Sequence, residues 1–138
     1  MPAAPQRTPH HSTVLVVGGD GALREFCRSR LGRLGCAVQF ARDVADAMTG
    51  GFSPDVMVAD LPQDLHTIAR LRHLEEFAEA IGSALVALTD DAVLLQRPVS
   101  ASPVQVLPRP CAPDSLWHAV VIANAARRLG QQSGTCRV

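Results

Sequence analysis

The chain has 138 residues, 47% of them hydrophobic and 19% charged, with 13 basic residues against 13 acidic ones. A chain of this size buries one core and rarely two, and a balanced surface of this kind sets up no field that would recruit nucleic acid. Every basic residue is arginine and tyrosine is absent, so Schiff-base and other lysine-dependent chemistry is excluded.

The four cysteines, Cys27, Cys36, Cys111 and Cys136, form no CxxC pair. The expectation is reduced, mostly buried thiols rather than a zinc or redox motif. Met1 to His11 is polar and proline-rich without an apolar run, so it reads as neither a signal peptide nor a membrane anchor, and a cytoplasmic location is expected. Residues 1–12 and 131–138 are expected to be disordered or flexible tails around one domain, 13–130.

Thr13-Val-Leu-Val-Val17 is a continuous apolar run stopped by Gly18-Gly19, which predicts a strand buried on both faces. Asp20 is placed to cap a helix over Ala22–Leu34, where Leu23, Phe26, Cys27, Leu31 and Leu34 recur at three- and four-residue spacing and Gly35 closes the segment. Ala37–Ala41 gives a second strand, Asp43–Met48 a short helix and Asp55–Asp60 a third strand. The longest helical stretch runs from Asp64 to Ile81, with Leu65, Ile68, Leu71, Leu74 and Ala78 as its expected apolar stripe.

Ala84–Leu88 and Val104–Leu107 are the fourth and fifth strands. Pro98 and Pro103 between them make any fourth helix short or irregular. A last helix is capped by Asp114 or Ser115 and runs to about Leu129, with Arg127 and Arg128 near the negative end of its dipole. Strands alternating with helices imply an α/β fold: a doubly wound, five-stranded parallel sheet whose ligand site lies at the carboxyl ends of the strands. That rule points to Gly18–Asp20, Asp60, Thr89 and Arg109.

These residues carry a resemblance to the bacterial response-regulator receiver family, also called CheY-like. VLVV, a turn and ALREF resemble the family's first strand and helix; PDVMVAD resembles its phosphoacceptor strand, ALVALT its fourth strand, and Arg109-Pro110 its lysine-proline pair. The match spans roughly Val14 to Leu129. It implies a flavodoxin-like (βα)5 fold, Asp60 as the acceptor of phosphate, Thr89 as the hydroxyl that contacts it, Arg109 in place of the lysine, and a cis Arg109–Pro110 bond.

Several features depart from the family. Its two acidic residues after the first strand, which hold Mg²⁺ with the acceptor, are here Gly18 and Gly19. A carboxylate attacking a phosphoryl group brings anions together, and a hard cation normally neutralises that charge. The family's signalling aromatic corresponds to Val106, and the segment after Asp60 reads Leu-Pro-Gln-Asp. Arg109 is therefore either a tolerated basic replacement or a fork that pairs with Asp60, and the emptied acidic pocket favours the pair.

The resulting expectation is a degenerate receiver: not an enzyme, an interaction module for a signalling protein of unknown identity, with phosphorylation at Asp60 absent or inefficient. Nucleic acid and membrane are not expected partners, and a homodimer stays open. No cofactor is expected, although weak Mg²⁺ binding through Asp20 and Asp60 remains the alternative that an active phosphoacceptor would need. A further alternative is an anion- or nucleotide-binding domain using the Gly18–Gly21 turn, but neither a dinucleotide fingerprint nor GK[ST] is present. His10-His11 is expected to be solvated; His66, His73 and His118 form no nucleophilic triad with a GxSxG serine. Trp117 is expected half-buried on the last helix.

Overall fold

The computed structural model describes residues 12–96 and 103–136, of which 131–136 are described by backbone alone. Most of the expected N-terminal tail, the His10-His11 pair and Pro98 lie outside the described residues. Ser12, the last residue assigned to that tail, is packed: it is buried, and its carbonyl accepts from the Ala37 N–H at 2.9 Å.

Strands β1 (Thr13–Val17), β2 (Ala37–Ala41), β3 (Val56–Leu61), β4 (Ala84–Thr89) and β5 (Val104–Pro108) alternate with helices α1 (Gly21–Phe26), α2 (Val44–Thr49), α3 (Thr67–Ile81), α4 (Ala92–Leu95) and α5 (Pro113–Cys136). All strand pairs are parallel, in the order β2-β1-β3-β4-β5. This is the doubly wound arrangement with its order reversal at β1 and β3, which puts the carboxyl ends of those two strands beside the ligand crevice.

The inner strands β1, β3 and β4 are nearly continuous in apolar residues because both faces of the sheet are covered there. Val14, Val16, Val56, Val58, Val86 and Leu88 face α1 and α5 and pack with Leu31, Leu116 and Val120. Leu15, Val17, Met57, Ala59, Leu85 and Ala87 face the other way, onto Leu71, Leu74 and Ala78 of α3. Side chains alternate between faces along a strand. Asp60 therefore follows Val56 and Val58 toward α1 and α5, and Thr89 follows Leu85 and Ala87 toward α3 and α4.

Three helices differ from expectation. The first does not stay α-helical: after Phe26 it continues as a π-helical turn over Cys27–Leu31, a distinction that three- and four-residue apolar spacing does not carry. α3 starts at Thr67, so Leu65 precedes it with 96% exposure and Ile68 is half exposed. The inward stripe is Thr67, Leu71, Leu74 and Ala78. Thr67 holds the entry turn, its hydroxyl donating to the Pro62 carbonyl at 2.9 Å and accepting from the Asp64 N–H at 2.8 Å. α5 runs on to Cys136 rather than ending near Leu129. α4 is the short helix expected, one turn capped by the Asp91 carboxylate.

Candidate functional site

The site lies where β1, β3, β4 and β5 end. Its centre is the Arg109 guanidinium, presented by the residue after β5. Arg109 Nε donates to Asp60 Oδ1 at 2.6 Å and Nη2 to Asp60 Oδ2 at 3.3 Å, a two-point fork on one carboxylate. Its remaining edge meets Asp90, with Nη1 donating to Oδ1 at 3.2 Å and Oδ2 at 3.1 Å. The Asp60 side chain is only 11% exposed, against 29% for Arg109 and 42% for Asp90. The hydrogen bonds to Asp60, followed by its charge and that of Asp90, outweigh burial and raise the Arg109 pKa above its ordinary value. The Arg109–Pro110 peptide is cis, as the resemblance implied.

On the β1 side the turn is built from backbone. Gly18 and Gly19 have φ of +72° and +88°, a left-handed conformation that side-chain-bearing residues rarely adopt. The Gly18 N–H donates to the Ala41 carbonyl at 2.9 Å. Arg24, one turn into α1, donates from Nε to the Gly18 carbonyl at 3.2 Å and from Nη2 to the Ala41 carbonyl at 3.3 Å, while its guanidinium lies 5.4 Å from the Phe40 ring centre. A cation thus joins the carboxyl ends of β1 and β2. Asp20 does cap α1, its Oδ1 accepting from the Leu23 N–H at 2.9 Å.

Mg²⁺ prefers octahedral oxygen coordination and gives up its water reluctantly, so a site needs carboxylate oxygens free to face it. Both Asp60 oxygens accept from Arg109, one of the two Asp20 oxygens caps α1, and Gly18 and Gly19 supply no carboxylate. Among the described residues no group of three or more His, Cys, Asp or Glu side chains is placed to hold a metal. The donor set does not fit Mg²⁺.

Thr89, expected beside Asp60, is fully buried on the other face of the sheet, where its hydroxyl accepts from the Asp91 N–H at 3.1 Å. Leu88 and Asp90, its neighbours, reach the cleft instead. Asp90 is the site residue that the sequence reading missed. It follows β4 directly, so the strand-end rule that selected Asp60 was sufficient to find it. His66, His73 and His118 are exposed and take no part, and Trp117 is half-buried.

Beside the Asp60–Arg109–Asp90 triad a cleft of about 500 Å³ opens between α1 and the start of α5, lined by Leu23, Phe26 and Leu116 and also by Cys111 and Asp20. Burial pushes the Cys27 thiol up to about 12, with Cys111 adding to the shift, and burial also raises Cys111. Both thiols stay protonated at neutral pH, which leaves neither as a ready nucleophile.

No family model and no curated protein sequence matches the chain. Solved structures do. A receiver domain of a Francisella response regulator superposes with a TM-score of 0.62 at 21% identity, covering 83% of this chain and 98% of that one. A response regulator receiver protein from Sinorhizobium medicae gives 0.60 at 23%, covering 85% and 97%. The Vibrio cholerae chemotaxis protein CheY4 gives 0.61 at 17%, covering 80% and 97%. At these identities the likeness establishes the receiver fold.

Proposed function

We propose that the chain is a receiver-type signalling module that works through protein–protein contacts, with phosphorylation at Asp60 absent or inefficient. One observation carries this reading: the Arg109 fork takes both oxygens of the carboxylate that would accept phosphate. In-line attack needs a free carboxylate oxygen and a cation shared between acceptor and donor phosphate. Here the Arg109 guanidinium is already paired with two aspartates, and that pairing links the ends of β3, β4 and β5. A module of this kind is not an enzyme, needs no cofactor, and displays one standing surface to a signalling partner in the cytoplasm.

Amide chemical shifts of the labelled chain, recorded as Mg²⁺ and then beryllofluoride are added, test the proposal. The expected result is no saturable shift at Asp60, Thr89 or Arg109 with either addition. A saturable Mg²⁺ response that beryllofluoride then extends across β4 and β5 would establish an active acceptor and overturn it.

A further inference from the structure

The apolar side of the cleft between α1 and α5 has no part in the reading just given, and the chemistry of the cleft is uneven. Its volume of about 500 Å³ lies within the range of roughly 300–1,000 Å³ for small-molecule sites, which combine apolar walls with a few polar groups. The walls are Leu23 and Phe26 from α1 and Leu116 from α5; Asp20, Asp60, Asp90 and Arg109 supply the polar end.

The sign of that end follows from its pairing. Among the described residues that line the cleft, three carboxylates meet one guanidinium, and Arg109 is turned onto Asp60 by Nε and Nη2 and onto Asp90 by Nη1. An anionic ligand would have to displace a carboxylate from Arg109 while facing the others. A cation meets two uncompensated formal charges. Asp90 is the accessible member, with 42% of its side chain exposed, and the Asp20 carboxylate lies at the same cleft on an exposed residue.

We infer that this cleft binds a small organic cation, an ammonium or guanidinium head on an apolar body. The head sits against Asp90 and Asp20, and the body lies on Leu23, Phe26 and Leu116. Because Asp90 is also a partner of Arg109, the ligand competes for one arm of the triad, so occupancy bears on the same ion pair that holds β3 to β5. The inference uses the Arg109 pairing of the functional reading, but its failure is separable: it concerns the cleft's ligand, whereas the functional reading concerns Asp60 and phosphate.

The test titrates the full labelled chain with three probes of one shape, phenethylamine, 2-phenylethanol and 3-phenylpropionate, and follows amide shifts. Phenethylamine is expected to give saturable shifts at Ala22–Phe26, Asp90 and Cys111–Leu116, the alcohol weaker ones at the same amides, and the carboxylate none. Asp90→Asn is expected to weaken the amine about fivefold, the size of a partly exposed ion pair, while leaving the alcohol unchanged. Ala22→Phe, on an exposed helix position at the cleft, fills the space and abolishes binding of both. Carboxylate binding as tight as amine binding, shifts centred elsewhere, or no saturable shift with the amine would overturn the proposal. A response to Mg²⁺ and beryllofluoride would overturn only the functional reading.

Discussion

Replacing Arg109 by alanine removes two ion pairs at once, and their sizes differ. Asp60, with 11% of its side chain exposed, is left without its partner. Truncating one member of a buried pair costs about 3–5 kcal/mol, and an exposed pair is worth about 0–1 kcal/mol. The 29% exposure of Arg109 puts this pair between those limits, at about 2 kcal/mol, with the Asp90 arm adding a few tenths. For a domain of this length that lowers Tm by roughly 6–10 °C. Asp60→Ala costs less, because the guanidinium keeps Asp90 and remains partly solvated. The double variant recovers most of the difference, giving a coupling of about 1.5 kcal/mol. Urea unfolding followed by Trp117 fluorescence measures all four corners of the cycle. In a pocket of crowded, unpaired carboxylates, neutralising Asp60 would instead stabilise the fold. A stabilising Asp60→Ala, or a coupling below about 0.5 kcal/mol, would refute the ion-pair account.

Restoring acidic residues by Gly18→Asp and Gly19→Asp together is expected to yield no Mg²⁺ heat in calorimetry and to lower stability by about 2 kcal/mol or more. Both backbones are left-handed, and a Cβ on Gly19 would stand 2.8 Å from Leu23 Cδ2. Alkali is expected to destabilise the fold through Cys27, whose pKa rises from 9.0 to about 12 on burial. The unfolded chain releases that proton first, so this contribution is full below pH 9 and declines as pH climbs toward 12. Urea midpoints measured from neutrality upward should show the decline, and Cys27→Val should shrink it. Leu65→Gln is expected to change stability by less than about 0.5 kcal/mol, and Leu71→Ala to cost about 2–5 kcal/mol, in the same unfolding assay.

What the sequence disclosed follows from what local patterns encode. The strand runs VLVV, VMVA and ALVAL are continuous because the sheet is covered on both sides, and that alone gave element order and sheet type. The pairing of Asp60 with Arg109 was legible because parallel strands bring their carboxyl ends together and an arginine without its usual acidic neighbours needs an anion. The start of α3 was not legible: Leu65 and Ile68 fit the helical spacing, whereas the inward first position belongs to Thr67, whose hydroxyl ties the entry turn. Thr89 was placed by family position, and counting the alternation from Ala84 would have turned it to the other face. The π-helical turn, the left-handed Gly18-Gly19 and the Arg24 bridge to Ala41 depend on tertiary closure. No local pattern reports them.

Under the proposed reading, the Arg109 fork closes the Asp60 carboxylate to phosphate. Incubating the chain with Mg²⁺ and acetyl phosphate, followed by intact mass spectrometry under acyl-phosphate-preserving conditions, tests it most directly. The account predicts an unchanged mass. A gain of one phosphoryl group that Asp60→Ala abolishes would contradict it.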